Sequence, residues 1–150
     1  MNEQRHRRPG ERARIDAGDV IEAARLVYRA SGIAGVSMRS VADKLRVAPN
    51  ALYSHVQSKQ ELMDALLDSI LGEIRLPDGE RSWRDRLVTL LRRSRAILLE
   101  HGDLLPLVMS RPTRGENALR LGEATLACLT EAGLSGDRAV EALQILLVYT

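Results

Sequence analysis

The chain has little of what disulfide-rich, zinc-binding or aromatic-rich folds are built from. Its 150 residues include one cysteine, Cys128, and no phenylalanine, and aromatic residues make up only 3 %. One cysteine excludes a disulfide framework within the chain and a zinc site with several cysteine ligands, and it fits a reducing compartment. The longest apolar run, residues 145–149, is far shorter than the roughly 18 residues needed to span a bilayer. Because the charged first 15 residues also lack a signal-peptide pattern, we expect a cytoplasmic protein without a membrane segment.

Motifs for catalysis are missing as well. The sequence contains no HExxH, no Gly-rich phosphate loop, no GxSxG turn and no paired metal-ligand spacing. Only three histidines and one cysteine are available for such chemistry. We therefore expect no enzyme activity, no cofactor and no metal site.

What the chain has in quantity is aliphatic residues and unevenly placed charge. Apolar residues make up 45 % of the sequence, enough to bury a core, and most of them are Leu, Ala, Val and Ile. Residues 1–59 carry 11 Lys and Arg against 6 Asp and Glu, whereas residues 60–150 carry 11 against 14. A basic first part attached to an acidic second part favours contact between the first part and a polyanion.

The apolar residues recur at helical spacing, and no segment alternates convincingly with a period of two. Helix starts are predicted wherever a capping residue precedes an apolar repeat, and helix ends at glycine or proline. The predicted starts are Asp16, Ser37, Pro49, Ser58, Ser82, Thr113 and Ser135, and the predicted breaks are Ser31-Gly32, 77–79, Gly102 and Gly133. The fold class is therefore predicted to be all-α.

Residues 37–56 have the features that a helix-turn-helix requires. A helix from Ser37 to about Leu45 carries the small residue Ala42 where two helices would touch. Residues 46–48 form a short connection, and Pro49 is suited to the first position of the next helix. Such a motif places the second helix in the major groove of DNA.

The segment that contains this motif resembles a known protein family. Segment 32–62 is similar to the DNA-binding head of the tetracycline-repressor (TetR) family. The similarity rests on Gly35, Ser37, Arg39, Ala42, Leu52-Tyr53 and the run from Val56 to Leu62, and it covers about residues 14–75.

The resemblance, together with helical spacing, implies a set of DNA-binding residues. Arg39 would read a guanine, and Tyr53, His55 and Lys59 would contact phosphates, with a base contact also open for His55. Each has a plainer alternative, since Arg39 and Lys59 could be solvated surface residues and Tyr53 a core aromatic. The full predicted set is Ser37, Met38, Arg39, Pro49, Asn50, Ala51, Tyr53, Ser54, His55 and Lys59.

The remainder resembles, more loosely, the tetracycline-repressor subgroup of that family, through Ser82-Trp83, His101-Gly-Asp103 and Ser110–Thr113. The resemblance places the magnesium-ligating histidine at Leu107 or Val108 and a drug-contacting histidine at Arg75. These replacements argue against a magnesium–tetracycline complex as the effector. The positions implied for effector binding are Arg75, Leu90, Ser94, Leu107, Arg111, Pro112 and Thr113.

These observations predict three regions: a basic flexible arm (1–14), a helix-turn-helix domain (15–60) and a helical ligand-binding and dimerisation domain (61–150). The arm could follow phosphates or a minor groove, or be a tail without function. The last helix is apolar on every side in its second half, so we expect the third region to be incomplete and the chain to be a fragment or an unusually short relative.

The predicted function is a ligand-responsive transcriptional regulator. We expect a repressor that binds a palindromic double-stranded DNA operator as a homodimer and is released by a small-molecule effector. Two alternatives stay open at this stage: a non-enzymatic helical interaction module, and a helix-turn-helix activator.

Overall fold

The computed structural model describes residues 15–77, 82–110 and 112–149, and every regular element in that part of the chain is helical. The predicted arm 1–14 lies outside the described residues. None of the described helices is long and apolar enough to cross a membrane. In chain order the elements are α1 (Ala17–Gly35), α2 (Met38–Leu45), a 3₁₀ helix (Pro49–Ser54), α3 (Lys59–Leu71), α4 (Trp83–Glu100), a 3₁₀ turn (Gly102–Leu104), α5 (Leu105–Ser110), α6 (Glu116–Glu131) and α7 (Asp137–Tyr149).

Helix α1 begins where its sequence predicts. The Asp16 side chain accepts the N–H of Asp19 at 2.8 Å, and the Asp19 side chain accepts the N–H of Asp16 at 2.9 Å. This reciprocal pair satisfies two of the N–H groups that a helix start leaves without partners. Near its other end the helix is kinked at Gly32, whose φ of +66° suits a residue without a Cβ atom.

The helix-turn-helix is built as predicted, except for its second helix. Ser37 caps α2, and the chain then turns through Arg46, which has a left-handed φ of 57°. The next element, Pro49–Ser54, is a 3₁₀ helix with proline in its first turn and not an α-helix. Six residues between two connections leave little room for an α-helical ladder, so the tighter 3₁₀ pattern closes the segment.

Helix α3 begins as predicted, with Ser58 as its N-cap, but ends earlier than predicted. Ser58 accepts the N–H of Glu61, and the Glu61 carboxylate accepts the N–H of Gln57 at 2.6 Å, so these two bonds do not form a reciprocal pair of the kind seen at the start of α1. The helix ends at Leu71, six residues before the predicted break at 77–79. Ile74 is nevertheless buried, because the chain turns back onto the core after Gly72.

One apolar core runs through the first helices and on into α4 and the 3₁₀ turn. It includes Val20 of α1, Leu52 of the 3₁₀ helix, Leu66 of α3, Leu90 of α4 and Leu104. Helix α3 therefore belongs to the same core as the helix-turn-helix. We call residues 17–56 the head and residues 83–149 the body, with α3 between them.

The start of α6 is a correction to the sequence reading. We expected Thr113 to cap this helix, but the residue at the capping position is Gly115, which has no side chain to do so. The cap comes from Asp68 on α3, whose carboxylate accepts the N–H groups of Asn117 at 3.3 Å and Ala118 at 2.9 Å. The last helix begins at Asp137, two residues after the expected Ser135.

Candidate DNA-binding surface and effector cavity

The 3₁₀ helix presents a continuous exposed strip on the head. Leu52 is fully buried and anchors the segment, whereas the side chains on either side of it face solvent. Tyr53 is 53 % exposed, which is high for an aromatic residue and argues against the core alternative. The exposed members are Pro49, Asn50, Ala51, Tyr53 and Ser54.

Two helix N-termini flank this strip in the sequence. Helix α2 begins after Ser37 and carries the exposed Arg39 in its first turn, and α3 begins at the exposed Lys59. Unpaired N–H groups and the helix dipole make an N-terminus attractive to anions, and an arginine or lysine side chain adds a full positive charge. This arrangement can hold a polyanion such as a phosphate backbone.

Seven of the ten predicted DNA-binding side chains are exposed, and the other three are partly buried. The Ser37 hydroxyl is engaged with Ser40 at the start of α2, accepting its N–H at 3.0 Å. Met38 packs against the core. His55 ends the 3₁₀ helix and is half-buried. These three residues are therefore less available to a partner than Arg39, Tyr53 or Lys59.

The body contains an apolar cavity of about 390 Å³, within the range of small-molecule sites. It lies between the end of α3, the helices α4, α6 and α7, and the segment around α5. No ionisable side chain lines it among the residues that the structure describes. The lining consists of Leu71, Ile74, Leu90, Leu91, Ser94, Leu98, Val108, Met109, Ser110, Pro112, Thr113, Ala118, Leu121, Gly122, Thr125, Leu143 and Leu146.

The structure brings only part of the predicted effector set to this cavity. Leu90, Ser94, Pro112 and Thr113 line it. Arg75 and Leu107 do not: Arg75 is exposed beyond the end of α3, and Leu107 packs against the core. Arg111 lies outside the described residues.

Sequence reasoning missed the contribution of α6. Ala118, Leu121, Gly122 and Thr125 recur at helical spacing and form one wall of the cavity. The small side chains of Ala118, Gly122 and Thr125 are the signal that could have found this wall, because a helix face rich in such residues leaves the space beside it unfilled.

Of the four hydroxyl groups that line the cavity, those of Ser94, Ser110 and Thr125 are already used as donors. Ser94 donates to the carbonyl of Leu90, and Thr125 donates to the carbonyl of Leu121, each at 2.9 Å. The Ser110 hydroxyl donates to Leu107 in the same way. A hydroxyl whose proton is engaged can still accept, so these groups suit a ligand that donates hydrogen bonds.

A polar contact joins the head to the body where α1 is kinked. Tyr28 donates its hydroxyl proton to Asp103 at 2.6 Å, and the other oxygen of Asp103 accepts the N–H of Ile33 at 2.9 Å. A Cβ atom at Gly32 would lie only 3.3 Å from that second oxygen. Burial, followed by the hydrogen bond to Asp103, raises the pKa of Tyr28, and that same hydrogen bond lowers the pKa of Asp103.

A second polar contact joins α1 to the end of α3. Arg25 donates to the carbonyl of Ser69 at 2.9 Å and forms an ion pair with Glu73. The ring of His101 lies 3.8 Å from Glu73 and 3.1 Å from the Tyr28 hydroxyl. No cluster of three or more metal-ligating side chains occurs among the described residues.

Comparison with known proteins identifies the class. The fold is that of helix-turn-helix transcriptional regulators with a helical regulatory domain. A family model described as bacterial regulatory proteins of the tetR family matches residues 20–66, and one described as a tetracyclin repressor-like C-terminal domain matches residues 76–150. The chain belongs to the TetR family.

Individual relatives support the same assignment. The transcriptional repressor DrrR1 of Streptomyces coeruleorubidus is 33 % identical over 91 % of this chain and 52 % of its own length. A class A tetracycline repressor from Escherichia coli is 32 % identical over 91 % of this chain and 64 % of its own length. The chain spans about half the length of the first curated relatives that it matches.

Solved structures extend the similarity to three dimensions. ActR of Streptomyces coelicolor in complex with actinorhodin superimposes with a TM-score of 0.82 at 28 % identity, covering 91 % of this chain and 65 % of that one. BioQ, known from Mycobacterium smegmatis, in complex with its double-stranded DNA operator gives a TM-score of 0.78 at 29 % identity, covering 90 % and 81 %.

Proposed function

We propose that this protein is a cytoplasmic, ligand-responsive repressor without enzymatic activity, which binds a palindromic operator as a homodimer and is released by a small-molecule effector. The observation that carries the proposal is the position of α3. Its first residue, Lys59, follows the exposed strip of the head by five residues and is itself exposed, and its last residue, Leu71, lines the cavity. One rigid helix about 20 Å long thus joins the candidate DNA surface to the candidate effector site.

The known complexes of similar proteins agree with both halves of this proposal. BioQ has been solved with a DNA operator, and ActR has been solved with actinorhodin. In this chain, the residues proposed to meet phosphates are Tyr53, His55 and Lys59. Arg39 and Asn50 are proposed to read base edges, because arginine fits the acceptor pair of guanine and asparagine fits adenine.

Effector binding would act on DNA affinity through the angle of α3. A ligand that enlarges the space between α6 and the end of α3 would tilt α3 and move Lys59 away from its phosphate. Operator DNA must then weaken effector binding by the same factor, because coupling between two binding sites is reciprocal.

The lining of the cavity points to the chemistry of the effector. We propose an uncharged, largely apolar molecule that carries hydroxyl or amide donors, since an ion would lose its hydration without gaining a partner there. Magnesium–tetracycline is excluded from this proposal, because Leu107, Val108 and Arg75 stand at positions that would have to ligate the metal or contact the drug.

The test of the DNA-binding half is salt-dependent binding of a duplex selected from a random pool. If about 6 phosphates are neutralised, the affinity falls roughly 10³-fold between 50 and 200 mM salt. Unchanged affinity over that range would contradict DNA binding and favour the interaction-module alternative. A reporter gene placed behind the selected site separates a repressor from an activator.

A further inference from the structure

The N-terminus of α6 is held by a side chain from another helix. No side chain of its own segment caps it, and Asp68 of α3 fills that role from 49 residues away. Besides the N–H groups of Asn117 and Ala118, the Asp68 carboxylate accepts the side-chain amide of Asn117 at 3.1 Å. Three hydrogen bonds to one carboxylate, at the positive end of a helix dipole, form a strong and directional contact.

The two helices approach closely at this contact. A Cβ atom at Gly115 would lie 2.2 Å from the carboxyl carbon of Asp68, and Gly115 also has a φ of +135°. A Cβ atom at Gly72, just after α3, would lie 3.1 Å from the side-chain nitrogen of Asn117. Because both positions are glycine, the start of α6 can approach α3 closely enough for Asp68 to bind it. The start of α6 therefore cannot move without moving Asp68 or breaking its hydrogen bonds.

A second contact fixes the same two helices further along. Arg120 of α6 donates to the carbonyl of Ile74 at 3.0 Å, just beyond the end of α3. Ala118 and Leu121, on either side of Arg120, line the cavity. The turn of α6 that a ligand would touch is thus the turn that is tied to α3.

We infer that Asp68 is the positioning residue through which the state of the cavity sets the orientation of α3, and with it the placement of Lys59. This inference rests on the proposed function and adds the atoms that carry the coupling. A ligand that displaces α6 pulls Asp68 through three hydrogen bonds, and α3 responds as a rigid body. By reciprocity, DNA that holds the Lys59 end of α3 changes the stability of the first turn of α6.

Amide hydrogen exchange of the full-length protein, free and saturated with a selected operator duplex, tests this inference without an identified effector. In the wild type, operator DNA changes the exchange rate of residues 117–120 about fivefold or more. In Asp68→Ala that DNA-dependent change is lost. Asn117→Ala removes fewer of the hydrogen bonds, gives an intermediate change, and serves if Asp68→Ala does not fold.

Ser82→Ala is the matched control. It removes the N-cap of α4, where Ser82 accepts the N–H of Asp85 at 3.2 Å, but that cap joins no second helix. The control therefore keeps the DNA-dependent change at residues 117–120. A cap with a purely structural role would speed exchange in Asp68→Ala equally with and without DNA, so the difference between the two states is the informative quantity.

The outcomes separate the two proposals. If DNA binds the wild type but exchange at residues 117–120 is unchanged, the role of Asp68 is overturned while DNA binding stands. The same holds if Asp68→Ala retains the change. If no duplex binds the wild type at all, the proposed function fails, and the role of Asp68 fails with it.

Discussion

The head and the body of this protein are packed in different ways. In the head, Val20, Val36, Val41 and Leu52 have no solvent exposure. In the body, large apolar side chains such as Leu99, Met109, Leu119 and Ile145 are more than half exposed, and a cavity of about 390 Å³ lies between the helices. A filled core suits a rigid surface that must match DNA, whereas an underfilled one leaves room for a ligand and for movement.

Core truncation gives the largest expected difference between the two regions. Leu52→Ala in the head should lower the free energy of unfolding by about 3 kcal/mol, because a fully buried leucine leaves a cavity behind. Leu119→Ala in the body, where the side chain is 63 % exposed, should change it by less than about 0.5 kcal/mol. Urea unfolding of both variants measures the contrast, and equal losses would show that Leu119 is buried as completely as Leu52.

Substitutions on the candidate DNA-binding surface should affect DNA binding and leave the free energy of unfolding nearly unchanged. Arg39→Ala should cost about 1–3 kcal/mol of binding free energy and relax the preference at one base position. Lys59→Ala should weaken all duplexes alike and make the salt dependence shallower. Affinities for the selected site and its single-base variants measure both, and a uniform loss for Arg39→Ala would make Arg39 a phosphate contact.

Replacing either of two glycines of the body by alanine should change the free energy of unfolding, but in opposite directions. A Cβ atom at Gly122 meets nothing within 4 Å, so Gly122→Ala should raise the free energy of unfolding by about 1 kcal/mol through helix propensity. Gly115→Ala should lower it, because its Cβ atom would overlap the carboxyl group of Asp68. Thermal melting of the two variants measures these changes. Stabilisation by both substitutions would contradict the close contact between Gly115 and Asp68.

The smallest expected effect concerns the contact between the two regions. The hydrogen bond from Tyr28 lowers the pKa of Asp103, so this carboxylate stabilises the fold above its ordinary pKa of about 3.9. That contribution is lost as the pH falls through the lowered value, because the unfolded chain takes up the proton first. Wild type should therefore melt at a higher temperature than Asp103→Asn at pH 7, and the difference should shrink below about pH 4. A constant difference down to pH 2 would exclude ionic stabilisation at Asp103.

Local features were predictable from the sequence. The caps at Asp16, Ser37 and Ser82 lie where expected, because each links residues three apart and depends on nothing else in the chain. The all-α class and the helix-turn-helix follow from apolar spacing in the same way. The DNA contacts proposed at Arg39, Tyr53 and Lys59 come from the resemblance to the TetR family, and in the structure all three side chains are exposed.

Tertiary packing decided the rest. The sequence indicated that Thr113 would cap α6, but Asp68 does so from another helix, and no local rule links positions 49 residues apart. The wall formed by Leu121, Gly122 and Thr125 likewise exists only because α6 lies against α4 and the end of α3. Hydrogen bonds within one helical turn can be predicted from residues that are close in the sequence. A cavity, or a cap that joins two helices, depends instead on how the helices pack together. The sequence by itself determined the all-α class and the local helix caps and predicted a candidate DNA-binding surface, whereas the packing of the helices decided where the cavity lies and which residues line it.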